Sequence, residues 1–226
     1  MASHNPRDDV FEKHYDEITQ LLDAFVISVV NMGDYISAED ALIGYIIDMY
    51  SEVFLGEIDY ILDSLGIYLS PEEEIEIRNG VNTSAFARSN QGRIRDILEA
   101  HAEDLRKRII DSTETVNKED LIHEFQSNLT RIATSEAQMV IEKASVESAK
   151  LFEIVTENNI LKTWNAIVDS RTCPTCLAMN GVTIPVDESF SNVAPSANIE
   201  EQLSYTGGDI VYAHPRCRCW VTYSKA

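Results

Sequence analysis

The chain has 226 residues and a formal net charge of −20, from 18 basic and 38 acidic residues. Hydrophobic residues make up 44% of it, enough for a real core, which excludes wholesale disorder. No run of 18 or more uncharged apolar residues occurs, so no membrane span is expected, and the polar opening MASHNPRDDVFEKHYDE does not read as a secretory signal. Only 5 basic and 8 acidic residues lie from 151 onward, leaving 13 basic against 30 acidic before it. So acidic a body repels polyanions within a Debye length, which argues against non-specific duplex binding as the main activity. A solvated acidic surface is the simplest account of it.

The first 160 or so residues read as successive helices. Over 8–31, Val10, Phe11, Tyr15, Ile18, Leu21, Leu22, Phe25 and Val29 recur in steps of three and four. Gly33 interrupts that stripe, and Ser37 reads as the N-cap of a second helix. From Ala41 to Leu65 the chain is apolar on more than one side, which predicts the most buried helix of the body, with Gly66 as its C-cap. Ser70-Pro71-Glu72-Glu73-Glu74 reads as a helix start: a capping serine, proline at the first position and acids at the positive end of the dipole. Gly80 and Gly92 flank a weaker patch. Ile94 to Ile110 then predicts another helix, whose basic run Arg106-Lys107-Arg108 suits a helix C-terminus better than a phosphate contact. From Asn117 an apolar stripe running from Leu121 to Val155 predicts a helix of about 40 residues, roughly 60 Å long. That length suggests a strut or a partner-spanning element.

Near 158–162 the character changes. Thr163 to Val168 alternates as a strand does, Asn180-Gly181 is a tight-turn signal, and Val182-Thr183-Ile184 is a second strand candidate. Residues 187–209 read as loop. Ile210-Val211-Tyr212 and Trp220-Val221-Thr222-Tyr223 complete the expected β content. The fold class expected is therefore mainly α. A multi-helix body over 1–160 with one long strut helix at about 117–158 precedes a small α+β cysteine-rich module over 161–226.

All four cysteines fall in the last quarter: Cys173, Cys176, Cys217 and Cys219. In a reducing compartment, clustered cysteines more often bind metal than form structural disulfides. Cys173-x2-Cys176 lets two sulfurs reach one ion from a tight turn, and zinc prefers four such ligands in a tetrahedron. The second pair, Cys217-x-Cys219, is tighter than usual, and His214-x2-Cys217 competes with it. Five candidates, Cys173, Cys176, His214, Cys217 and Cys219, thus stand for about four positions around a structural zinc ion. Such an ion would fasten a module too small to hold a good core. Packed reduced thiols or two disulfides are the alternatives.

No catalytic constellation stands out, and the chain is not expected to be an enzyme. Cys-Pro-Thr-Cys lacks the βαβ setting of a thioredoxin-like motif, and a zinc deaminase would need an H-x-E that is missing. His4, His14, His101 and His123 read as ordinary helix residues. Asp169 and Arg171 suit a turn-shaping role better than a catalytic one.

The segment from Arg131 to Cys219 resembles the phage Mu F-like, head-morphogenesis family of minor capsid proteins. The resemblance rests on an ordered series: Arg131-Ile132-Ala133-Thr134-Ser135-Glu136, Lys162-Thr163-Trp164, Asp169-Ser170-Arg171-Thr172-Cys173-Pro174-Thr175-Cys176, Asn180-Gly181, and His214-Pro215-Arg216-Cys217-Arg218-Cys219. Arg216 stands where the family usually has Asn, and Asn180 where it often has Asp. The resemblance implies a protein carried in few copies in the virion, in the head interior or at the portal vertex, and made in the host bacterial cytoplasm. It implies a role in head morphogenesis or in genome packaging or delivery. The portal protein, and with it the major capsid protein, are the implied partners, with an oligomer on the portal ring; DNA contact occurs in the family but is not favoured by this charge. From the residues alone, a stand-alone metal-stabilised module binding protein or nucleic acid, or a phage-delivered effector, remain alternative readings.

Overall fold

A computed structural model describes residues 8–31, 33–80, 83–111, 118–204, 208–214 and 217–226. Among them the element order is α1 (Asp8–Val30), α2 (Ile36–Leu65), α3 (Pro71–Gly80), α4 (Thr83–Asp111), α5 (Lys118–Thr156), β1 (Ile160–Asn165), α6 (Pro174–Met179), β2 (Thr183–Pro185), α7 (Ala197–Ser204) and β3 (Trp220–Lys225). A single 3-10 turn, Phe190–Val193, lies between β2 and α7. The chain is mainly helical, with a small three-stranded sheet near its C-terminus.

The apolar stripes become helix–helix contacts. Ile18, Leu22, Phe25 and Val29 of α1 are buried, and so are Leu42, Ile43, Ile46, Met49, Val53, Ile58 and Ile61 of α2. Helices α1, α2, α4 and α5 pack on one another, and α3 lies on α5. The helix ends follow local chemistry. Gly66 takes a left-handed conformation (φ 59°); its N–H reaches Asp63 O at 3.3 Å, and that of Ile67 reaches Leu62 O at 3.2 Å. This is the paired closure that glycine permits at low steric cost. At the start of α3, Ser70 N–H donates to Glu73 Oε2 (2.8 Å) and Glu73 N–H to Ser70 Oγ (3.2 Å), a reciprocal capping box with Pro71 at the first helical position.

Several sequence expectations are corrected. Ser37 is not the cap of α2. The helix begins at Ile36, and the Asp34 carboxylate accepts the Ile36 N–H at 2.9 Å, so an aspartate turn two residues earlier takes the role. Gly92 does not bound a weak patch: α4 runs through it from Thr83, since one glycine costs a helix only about 1 kcal/mol. The basic run of α4 stands at its C-terminal end as expected, with Arg108 in the last turn, and it also serves packing. Arg106 donates to Gly33 O (2.6 Å) and lies over the Tyr35 ring, while Arg108 forks onto Glu124 at 3.0 and 2.9 Å. Asn117, expected to begin the longest helix, lies outside the described residues, as does His4. Helix α5 itself has 39 residues, about 58 Å at 1.5 Å each.

The change of character near 158 is a change from helix to strand, with Glu157 at positive φ (53°) between α5 and β1. The sheet order is β2-β1-β3, all antiparallel. Leu161 pairs with Pro185 on one side of β1 and with Ser224 on the other. Residues 187–209 are not all loop: the segment holds the 3-10 turn and α7, where Ile199 and Leu203, one helical turn apart, face inward and Leu203 is fully buried. Ile210-Val211-Tyr212 is no strand. Those residues are buried but pair with no strand of the described sheet, so their apolar character reflects packing alone.

Sheet and helices share one continuous hydrophobic core. Strand β3 packs on α2 and α5, and β1 on α5. A buried polar seam on α5 makes the junction: Gln138 donates to the Cys217 carbonyl, and Ser145 Oγ meets Tyr223 Oη at 2.9 Å.

Candidate metal centre

The first arm of the site is the loop entering α6. Asp169 organises it. Its carboxylate accepts the Arg171 N–H at 2.8 Å, and Thr172 Oγ1 accepts the Asp169 N–H at 2.9 Å. Arg218 grips the same carboxylate as a fork, at 2.8 and 2.6 Å, a geometry that suits guanidinium and carboxylate. The hydrogen bonds from Arg218 first, and then from the Arg171 N–H, hold the Asp169 carboxyl well below the usual carboxylate range. Asp169 therefore shapes its loop and also ties it to the second arm.

Cys173 caps α6: its Sγ accepts the Cys176 N–H at 3.3 Å, and its carbonyl accepts the Leu177 N–H at 3.0 Å. This is how a C-x2-C segment turns both sulfurs to one side. On the second arm, Cys217 N–H donates to His214 O at 3.0 Å, which closes the His214-x2-Cys217 loop in a comparable way. Pro215 and Arg216 lie outside the described residues.

The structure brings all five predicted ligand residues together. Cys173, Cys176 and His214 present donor atoms within 4.8 Å of one another, and so do Cys176, Cys217 and Cys219. Cys176 belongs to both groups. Its Sγ stands 3.8 Å from His214 Nε2 and 3.6 Å from Cys217 Sγ. Cys176, Cys217 and Cys219 are buried, Cys173 is half-buried, and none of the four is in a disulfide.

These spacings fit a metal ion. Metal–sulfur bonds of about 2.3 Å in a tetrahedron put neighbouring donors about 3.8 Å apart, and the donor set, thiols with an imidazole, is what a borderline-soft cation takes. Without a cation the sulfurs must share protons. Hydrogen bonds from Cys176 and then Cys219 pull the Cys217 thiol far down, while its hydrogen bond with Cys217 and then Cys219, together with burial, push Cys176 up. Cys219 is drawn down by Cys176 but raised on balance by Cys217 and by burial. The cluster could hold a metal ion.

Three residues support the cluster, of which Gln138 and Gln202 have no mark in the sequence and Trp164 is marked only by the Lys162-Thr163-Trp164 series. Gln138, on α5, holds the Cys217 carbonyl. Trp164, wholly buried on β1, packs edge-on against Phe190 with ring centres 5.3 Å apart. Gln202, on α7, spans the two arms, accepting from Thr175 Oγ1 (2.6 Å) and donating to Ala213 O (3.0 Å). A helical phase places Gln138 on the inward seam with Ser145, but nothing local identifies its partner. Of the histidines read as ordinary, His14 bonds Tyr45 Oη through Nδ1 at 2.8 Å and His101 packs edge-on against Phe125.

Fold and site thus define a helical protein whose C-terminal sheet is built around a cysteine–histidine cluster. A family model described as phage Mu protein F-like matches residues 77–222, and the chain belongs to that family. The match reaches back through α4 into α3, well beyond the motif series that begins at Arg131. Membership points to phage head morphogenesis and to a component of the virion. No curated protein and no solved structure matches the chain. Among the described residues no helix is long and apolar enough to cross a membrane.

Proposed function

We propose that this protein is a minor head protein of a tailed phage, bound at the portal, acting without catalysis in head assembly or in packaging or delivery of the genome. The observation that carries the reading is the family match, which covers α4, the long α5 and the whole cysteine cluster. The architecture suits the role. Helix α5 is long enough to reach between neighbouring subunits, and its C-terminal half is fixed to the cysteine arm through Gln138 and to the sheet through Ser145. The cluster holds a structural zinc ion, favoured by its sulfur-rich donor set and its burial. The portal protein is the main partner and the major capsid protein the second. DNA contact is secondary, because the chain's net charge of −20 repels it.

Co-sedimentation of the purified protein with portal rings of the phage or prophage that encodes it tests the proposal. Saturable binding that survives physiological salt, with no retention on duplex DNA under the same conditions, is expected. Tight DNA binding without portal binding would overturn it.

A further inference from the structure

We infer that the cluster takes up its metal in two steps: Cys173, Cys176 and His214 receive the ion, and Cys176, Cys217 and Cys219 hold it. The inference rests on the reading of this cluster as a metal site and goes further, by giving its five candidates an order.

Spacing is the first observation. Four donors around one tetrahedral ion would all lie about 3.8 Å apart. Here the donor atoms fall instead into two groups of three, each within 4.8 Å, that share Cys176. The shared sulfur stands 3.8 Å from His214 Nε2 and 3.6 Å from Cys217 Sγ. The chain thus offers two adjoining seats rather than one. An ion passing from the first to the second keeps Cys176 throughout and gains Cys217 and Cys219.

Burial orders the two seats. Cys176, Cys217 and Cys219 are each at most 3% exposed, whereas Cys173 and His214 are half-buried. Stripping an ion of all its water before it enters such an interior is expensive. Donors at half-exposed positions replace part of that water while the rest remains, which gives the site the entry path it needs. Backbone support runs the same way. Gln138 of α5 holds the Cys217 carbonyl, and Cys219 directly precedes β3, whose first residue Trp220 is in register with Asn165. The outer donors sit on local turns instead: Cys173 caps the six-residue α6, and the His214 carbonyl accepts the Cys217 N–H at 3.0 Å. Donors set on rigid elements are the ones that fix a geometry.

The two seats serve one ion at a time. Two dications sharing the Cys176 sulfur would stand side by side in a buried setting, where their repulsion is little screened. Held by the three buried sulfurs, the ion completes its tetrahedron with one donor of the outer pair and releases the other.

The full chain, stripped with a chelator, is mixed rapidly with cobalt(II), whose thiolate charge-transfer absorption reports the sulfurs bound. Wild type is expected to bind one cobalt per chain in two phases. The first quickens with cobalt concentration. The second is independent of it and brings a further gain in thiolate intensity, because the outer seat has two sulfurs and the inner seat three. Cys173→Ala and His214→Ala should each slow the first phase. Cys219→Ala should keep the first phase, lose the gain of the second, and release cobalt to EDTA about tenfold faster or more, since removing even a supporting group of a metal site costs that much. A single phase in wild type, two cobalt ions bound at once, an unchanged first phase in both outer variants, or unchanged release from Cys219→Ala would each overturn the order of the seats. The wild-type phases decide the matter alone should Cys219→Ala fail to fold. A wild-type chain that retains neither zinc nor cobalt would overturn the metal site itself, and the order with it.

Discussion

Lys162, which the sequence marks only as the first residue of the Lys162-Thr163-Trp164 series, lies fully buried in the middle of β1. Its ammonium donates to Asp209 O at 3.0 Å and lies 5.2 Å from the centre of the Phe190 ring. Burial, opposed by Asp209 and reinforced by Lys150, draws its pKa down to about 8, with Asp187 and Glu147 opposing more weakly. Unfolded, it would titrate near its ordinary value of about 10.4. Between those values the unfolded chain holds a proton that the folded chain has released, so stability rises with pH across that window. Below about pH 8 both states are protonated and the cost of the buried charge is fully present. Lys162→Met should therefore show a smaller rise in melting temperature from pH 8 to pH 10 than wild type does. Parallel profiles would show that the ammonium is not what that window senses.

The same contrast governs the site. Its five candidate ligands are legible in the sequence because cysteine and histidine at x2 spacing are rare outside metal sites. Gln138 and Gln202 are not, because ordinary residue types gain their roles from partners 79 and 11 positions away; Lys162 and Trp164 are marked by their motif, but the partners they meet are not. Asp169 is legible in half its role. The bond to the Arg171 N–H follows from a local aspartate turn, but its fork from Arg218 closes only when β3 is in place.

At the scale of elements, local rules succeed where they act alone. The capping box at Ser70 and the glycine closure at Gly66 stand where the residues put them. Ser70→Ala removes an acceptor for an N–H of the first turn and should cost about 1 kcal/mol, read as a lower urea midpoint with an unchanged slope. An unchanged midpoint would mean that α3 is held by its packing on α5 alone. Local rules fail where tertiary packing decides. Buried Leu203 and the Gln202 bridge make a helix of a segment whose serine, proline and glycine content reads as loop. Ile210 to Tyr212 have strand composition, yet β1 is already paired on both sides, by β2 and β3, which leaves it no edge to offer. The apolar pattern beginning at Ile94 misses the first turns of α4, because Gly92 reads as a boundary while the helix formers around it carry the helix through.

At the scale of the molecule, the body and the sheet have separate reporters. Both tryptophans, Trp164 and Trp220, lie in the sheet, while most of the helix lies before residue 157. Chelation, or Cys173→Ser, should therefore shift tryptophan emission to the red and lower its melting midpoint while most far-ultraviolet helical signal persists. The separation will be incomplete, because β3 packs on α2 and α5 and the core is continuous. An emission melt identical with and without chelator would mean that no ion supports the sheet.

The proposed minor head role requires that the protein be found, and be countable, in the particles themselves. Quantitative mass spectrometry of purified virions would set its copy number against those of the portal and major capsid proteins. A few to a dozen copies per particle are expected, on the order of the portal ring rather than the capsid lattice. Absence from purified heads, or copy numbers matching the major capsid protein, would contradict a minor head role.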